Sequence, residues 1–164
     1  MTIAQKKKIL ERIIESVVWK LDKYDKSGKL FEHKEFKGNC LCNEGIEEWF
    51  KLIGVTGAVQ YNNADAYLLV GTGSGAATAG DTRTTFTTPV AKGMMATYPQ
   101  VAAAADHKCT WKASYGSADA NQAWNEFGLT NHATVGKLAN RKVSAQGTKV
   151  SGQTWELSLE ITLS

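Results

Sequence analysis

Residues 155–164 read WELSLEITLS. Trp155, Leu157, Leu159, Ile161 and Leu163 alternate with Glu156, Ser158, Glu160, Thr162 and Ser164. Successive side chains of a strand point to opposite faces, so this run buries one face and wets the other. Gln146-Gly147-Thr148 and Ser151-Gly152-Gln153 are turn signals just before it. The same period runs upstream: Cys109, Trp111, Ala113 and Tyr115 alternate with Thr110, Lys112 and Ser114. Ala66–Val70 is a short apolar run bounded by Asn62-Asn63 and Gly71, and Ala123–Gly128 carries Trp124 and Phe127 between turn-forming residues. Fifteen Gly against two Pro fit many tight turns. Short strands separated by Gly-rich turns predict a mainly β chain, an antiparallel β-sandwich. There is no βαβ rhythm and no repeat of fixed period.

The first third differs. Twenty of the first 53 residues are charged, against 15 of the remaining 111. Ile9, Leu10, Ile13, Ile14, Val17, Val18 and Leu21 recur at a spacing of three to four, which predicts an N-terminal amphipathic helix over 1–21. Thr2 and Gln5 fit a capping box at its start. The stripe either packs on the protein's own core or faces a partner. Ile9, Ile13, Ile14, Val17 and Val18 are the candidate partner-binding residues of such an arm. A second short helix is expected over Asn43–Ile53, with Asn43 as N-cap and Glu44, Glu47 and Glu48 near its positive end. Ile46, Trp49, Phe50 and Ile53 share one face, and Gly54 is a natural stop. The expected organisation is a helical arm over 1–38 and a β-sandwich domain over 39–164.

A chain of 164 residues can bury a core without metal or disulfide staples. Its 43% hydrophobic and 21% charged residues exclude a disordered chain. No run approaches the roughly 20 apolar residues of a membrane helix. A net charge of +3 is too small to argue for nucleic acid. Cys40, Cys42 and Cys109 are an odd count and no disulfide framework, so reduced thiols are expected. The basic, then apolar N-terminus is interrupted by Glu11, Arg12 and Glu15, unlike a signal peptide.

The motifs that carry chemistry fail on inspection. Gly71-Thr72-Gly73-Ser74-Gly75-Ala76 has the form G-x-G-x-x-A, but the chain continues AATAGDTRTTFTTP without a helical stripe, and no Walker Gly-Lys-Ser/Thr follows. Asp25–Leu30 resembles a calcium loop, yet alignment on Gly28 places Lys23 and Lys34 where the ion needs acids. His33, Glu35, Cys40 and Cys42 lack the deaminase spacing, and a zinc site of His33, Cys40, Cys42 and Cys109 is weaker than a reading as packed thiols and a surface histidine. No Ser or Cys lies in a nucleophile elbow, and the sparse acids of the β region form no evident carboxylate pair. Trp111 and Trp155 lie on apolar strand faces; Trp124 and Tyr98 are candidates for stacking on sugars.

NEGI at 43–46, AYLLVG at 66–71, MMATYP at 94–99, WKASYG at 111–116, DANQAWNEFG at 119–128, NRKV at 140–143 and GTKVSGQTWELSLEITLS at 147–164 form a series. It resembles small structural proteins of tailed bacteriophages, the virion, minor capsid or decoration proteins, over about residues 43–164. The resemblance implies a virion component with a compact, jelly-roll-like β-sandwich, no catalysis and no cofactor or metal. Within that class the expectation is a capsid decoration or cement protein, assembled in the host cytoplasm, that binds the major capsid protein and copies of itself on the outer head shell. Neither nucleic acid nor membrane is an expected partner. A tail, neck or fibre-adaptor protein and a host-glycan-binding module are the alternatives. On this reading residues 1–21 serve assembly more than folding.

Overall fold

The computed structural model describes residues 2, 5, 14–54, 57–102 and 107–163. Ten strands and one helix follow one another along them: β1 Ile14–Tyr24, β2 Leu30–Lys37, β3 Cys40–Leu41, α1 Asn43–Gly54, β4 Tyr67–Gly71, β5 Val90–Gly93, β6 Gln100–Val101, β7 Lys108–Tyr115, β8 Glu126–Thr130, β9 Leu138–Val143 and β10 Thr154–Leu163. The strands form two five-stranded sheets, ordered β2-β1-β10-β7-β6 and β3-β9-β8-β4-β5, and every pairing is antiparallel. The chain is therefore mainly β and sandwich-like.

The alternating runs sit where their pattern puts them. In β10, Trp155, Leu157, Leu159 and Ile161 are buried, and in β7 so are Trp111, Ala113 and Tyr115. The two strands pair in register, Leu157 opposite Ala113 and Leu159 opposite Trp111. From the second sheet Leu68, Val70, Phe127 and Leu129 join the same core cluster. The second sheet is covered on its other side too: Leu69 packs with Cys42, Phe86 and Leu138 in a smaller cluster.

The helix expected over 1–21 is not what residues 14–21 form. They are the first part of β1, which lies inside the first sheet between β2 and β10. The stripe splits accordingly: Val17 is buried, whereas Val18, on the opposite face, and Ile14, at the strand's start, are half-buried. The buried set is Val17, Trp19, Leu21 and Lys23, a period of two. Residues 14–21 satisfy both periods in part, and their β-branched side chains, stiff at χ1, favour the pleated alternative once β10 offers a full partner strand. Residues 14–37 thus belong to the sheet rather than to an arm ending at 38. Ile9 and Ile13 lie outside the described residues. Thr2 and Gln5 do exchange the two hydrogen bonds of a capping box, at 2.8 and 3.2 Å.

α1 forms as expected, with Glu44 in its first turn and Lys51 in its last, where each complements the helix dipole. Ile46 is buried, but Ile53 is 82% exposed. Gly45 lets the helix lie directly on β9: a Cβ there would sit 2.3 Å from the Ala139 Cα. Glu44 Oε1 accepts the Leu138 N–H at 2.7 Å and locks the contact.

Candidate functional site

Three features of the sandwich are candidates for function: a buried ionic cluster, the outer face of the first sheet, and an apolar opening at one end.

The ionic cluster explains the glycine-rich loop. Arg141 on β9 donates from Nη2 to Glu126 Oε2 at 2.6 Å and from Nη1 to Asp81 Oδ2 at 2.8 Å. All three residues are buried. Glu126 Oε1 accepts the backbone N–H groups of Gly73 and Thr87 at 2.8 and 2.7 Å. A Cβ on Gly73 would lie 2.5 Å from that oxygen, so close backbone approach requires glycine there. The Gly73 N–H, which a phosphate-binding loop would turn toward a ligand, is taken by a carboxylate of the protein itself. Burial disfavours the charged forms, yet Arg141 titrates above its usual range because the Glu126 and Asp81 hydrogen bonds outweigh it. Asp81 is held below its usual range by Thr78 and Arg141 despite its own burial. The cluster pins the loop to the second sheet.

The first sheet turns its polar face to solvent. β1, β2, β7 and β10 set Lys20, Asp22, His33, Glu35, Lys108, Lys112, Glu156 and Glu160 on it, and the signs interleave. Lys20 lies 3.5 Å from Glu35 and 3.0 Å from Glu160. Lys112 lies 2.7 Å from Glu156, and His33 Nδ1 lies 2.5 Å from Asp22. The Asp22 hydrogen bond raises the His33 pKa. Asp25 at the β1–β2 turn is engaged in that turn, where Oδ1 accepts the N–H groups of Ser27 and Lys29.

The opening lies at the end where β1 begins and β10 finishes. An apolar groove of about 600 Å3 is lined by Trp49 of α1, Val101 of β6, His107, Lys108, Cys109 and Trp111 around β7, and Ile161 and Leu163 of β10. Register explains the assembly: Cys109 faces both Ile161 and Val101 across the sheet. Val101 is 80% exposed and Leu163 41%. Burial pushes the Cys109 thiol up to about 11, so it is protonated at neutral pH rather than a nucleophile. Few polar groups converge here, unlike a small-molecule site that fixes its ligand's orientation.

The described members of the predicted site, Ile14, Val17 and Val18, do not meet in one place. Ile14 and Val17 border a smaller hollow with Asn39 and Leu41, while Val18 faces the other way. Trp124 is fully buried and cannot stack on a sugar; Nε1 donates to Ala120 O at 3.0 Å. Among the described residues no group of three or more His, Cys, Asp and Glu could hold a metal ion. Strand alternation already put Cys109, Trp111, Ile161 and Leu163 on one face. Val101 and His107 carry no sequence signal for the groove. No known protein family, curated protein or solved structure matches the chain.

Proposed function

We propose that this chain is a non-enzymatic structural protein of a tailed-bacteriophage virion, a capsid decoration or cement protein that binds the outer head shell. The seven stretches between residues 43 and 164 that resemble such proteins support it. The structural observation that carries the reading is the two-signed outer face of the first sheet. Charged and titratable side chains of both signs stand there on four hydrogen-bonded strands, at positions fixed by strand register. Such a face suits docking on a repeated protein surface, because complementary charge sets orientation and register. Many equivalent weak contacts around a particle then add up to firm attachment. A jelly-roll-like reading belongs with this proposal: β1 pairs with β10 and β3 with β9, so early strands meet late ones in both sheets. The partners are the major capsid protein and further copies of this chain, with no cofactor.

The test is co-sedimentation of the purified protein with emptied heads and, separately, with tails of its virus, counting copies per particle. Saturable binding to heads in proportion to shell subunits, weakened by salt, is the expected result. A few copies on tails or necks would make it an adaptor. Binding to neither would overturn the virion reading.

A further inference from the structure

We infer that the outer edge of β2 is an interface for a second copy of this chain, with the two β2 strands antiparallel about a two-fold axis at His33 and the two first sheets joined edge to edge. Copies of this chain are partners in the virion reading, but the contact is argued from the strand itself and its test needs no particle.

The first argument is position. Among the described residues β2 is an end strand of the first sheet, with β1 on its inner side. It is eight residues long, and Leu30, Phe31, His33, Glu35 and Lys37 are exposed. The other end strands are shorter, with two residues in β3, four in β5 and two in β6. An end strand turns half of its backbone N–H and C=O groups away from its own sheet, where another strand can take them.

The second argument is charge, which selects both occupant and register. In a continuous sheet, residues directly opposite one another lie on the same face. Two copies related by a two-fold axis meet that condition when the axis passes through a residue. That residue then faces itself, and its two neighbours face each other. With the axis at His33, Glu32 of each copy faces Lys34 of the other, so the opposite-charge pair forms twice. Both belong to the inward side, since they pair with Lys23 and Leu21 of β1. Within one chain Lys34 Nζ already lies 3.2 Å from Glu32 Oε1, so the attraction that acts along the strand also acts across it. An axis at Glu32, Lys34 or Glu35 sets that residue against its own like charge, which destabilises a strand pair. Inward-pointing charges guard an edge against strands at large. Here they leave one self-complementary register open, so the side chains that reject other strands select a copy.

The third argument is what the contact completes. Leu30 and Phe31, 46% and 49% exposed, come to lie beside the far end of the partner's β2. A two-fold axis perpendicular to the sheet keeps both outer faces on one side. The two-signed face of Lys20, Asp22, His33 and Glu35 then continues across both copies.

The test uses the full-length chain. His33→Cys and, as control, Glu35→Cys are oxidised with copper phenanthroline and mapped by peptide mass. The expected result is a disulfide between two chains through position 33 and none through position 35, whose two copies stand roughly 13 Å apart in this register, beyond disulfide reach. Cross-linking through 35 instead overturns the register, and no cross-link between chains overturns the interface. Sedimentation velocity over a concentration series gives the second readout, with folding checked by circular dichroism. The wild type should dimerise, and Lys34→Glu should raise the dissociation constant about tenfold or more by setting acid against acid. Adding Glu32→Lys to Lys34→Glu should restore the dimer. A wild type that stays monomeric at every concentration, or a dimer indifferent to Lys34→Glu, overturns the proposal.

Discussion

The two ends of the sandwich are built from the same strands and finished in opposite ways. At the end holding the 116–125 and 144–153 loops, Trp124 packs edge-on against Tyr115 and Trp155, with ring centroids 4.7 and 4.9 Å away. The polar atoms brought in with these residues are satisfied. Tyr115 donates to Leu68 O at 2.8 Å, and the buried Lys149 ammonium donates to Gly116 O and Asn121 Oδ1 at 2.7 and 2.9 Å. Lys23 donates to Gln146 O at 2.6 Å, pairs with Glu32, and lies 4.3 Å from the Trp155 ring centroid. At the other end the strands' inward residues open into the groove. A core end can be closed by loops only if they bring partners for their own backbone and polar groups. The 116–125 and 144–153 loops do so through Ala120, Gly116, Asn121 and Gln146. Around Cys109, Ile161 and Leu163 the described residues instead line an apolar groove, with Val101 80% and Leu163 41% exposed.

The largest effect tests the core common to both ends. Leu159 is fully buried midway along β10, and Glu160 beside it is on the outer face. Leu159→Asp should cost on the order of 4–5 kcal/mol or prevent folding, because it buries an uncompensated charge. Glu160→Lys should cost much less, about 1–2 kcal/mol, because its side chain is on the solvent side of the sheet though only 16% exposed and it loses its pairing with Lys20. Similar losses in urea melts would mean that the inward face has been assigned wrongly.

The next comparison sets the ends against each other. Trp124→Ala should cost roughly 3–5 kcal/mol, the range for emptying a fully packed aromatic site. Trp49→Ala, at a half-buried residue on the groove wall, should cost less, about 1–2 kcal/mol, in proportion to its smaller buried area. Equal losses by thermal melting would show that the groove end is packed as fully as the other.

These contrasts follow elements whose sequence pattern had one solution. β7 and β10 alternate without competing periodicity, and α1 has acids at its start and Gly54 at its end. β1 was hidden because its apolar residues satisfy two periods. Read at three to four residues, Ile14, Val17, Val18 and Leu21 make a helical stripe; read at two, Val17, Trp19 and Leu21 make a strand face. The choice was made by a non-local event, pairing with β10, which no window of local sequence contains. Lys23 and Lys149 were illegible for another reason. A buried lysine is tolerable only where carbonyls and carboxylates happen to converge, and that convergence exists only in the fold. The groove was half legible: alternation supplied its floor, but that the floor stays open depends on which loops cover it.

A smaller contrast compares two lysines. Lys149→Met leaves Asn121 Oδ1 without the Lys149 donor and Gly116 O with the Asp119 N–H alone, and should cost about 1–3 kcal/mol. Lys108, which lies 3.9 Å from Glu160 and is partly exposed, should tolerate Met within about 0.5 kcal/mol. Burial lowers the Lys149 pKa, so a loss for Lys149→Met would reflect its two acceptors rather than favourable burial of the charge. If both substitutions prove neutral, the first end owes its closure to ring packing alone.

The smallest effect belongs to the outer face, between the ends. Asp22 holds the His33 imidazolium by a hydrogen bond, so the folded pKa is above the usual 6.5. A raised folded pKa means that the stabilisation is complete below about 6.5, where the unfolded histidine is also protonated. It is lost as pH rises through the folded value. The melting temperature of the wild type should therefore fall slightly on going from acidic to mildly alkaline buffer, relative to Asp22→Asn. The difference should be small, because the side chains are 48% and 25% exposed and solvent and salt screen the pair. Titrating the His33 ring resonances by NMR gives the same sign directly: a midpoint above 6.5 that drops in Asp22→Asn. A midpoint that does not move would break the link between Asp22 and His33, and with it this evidence that the charges on that face are fixed rather than merely near one another.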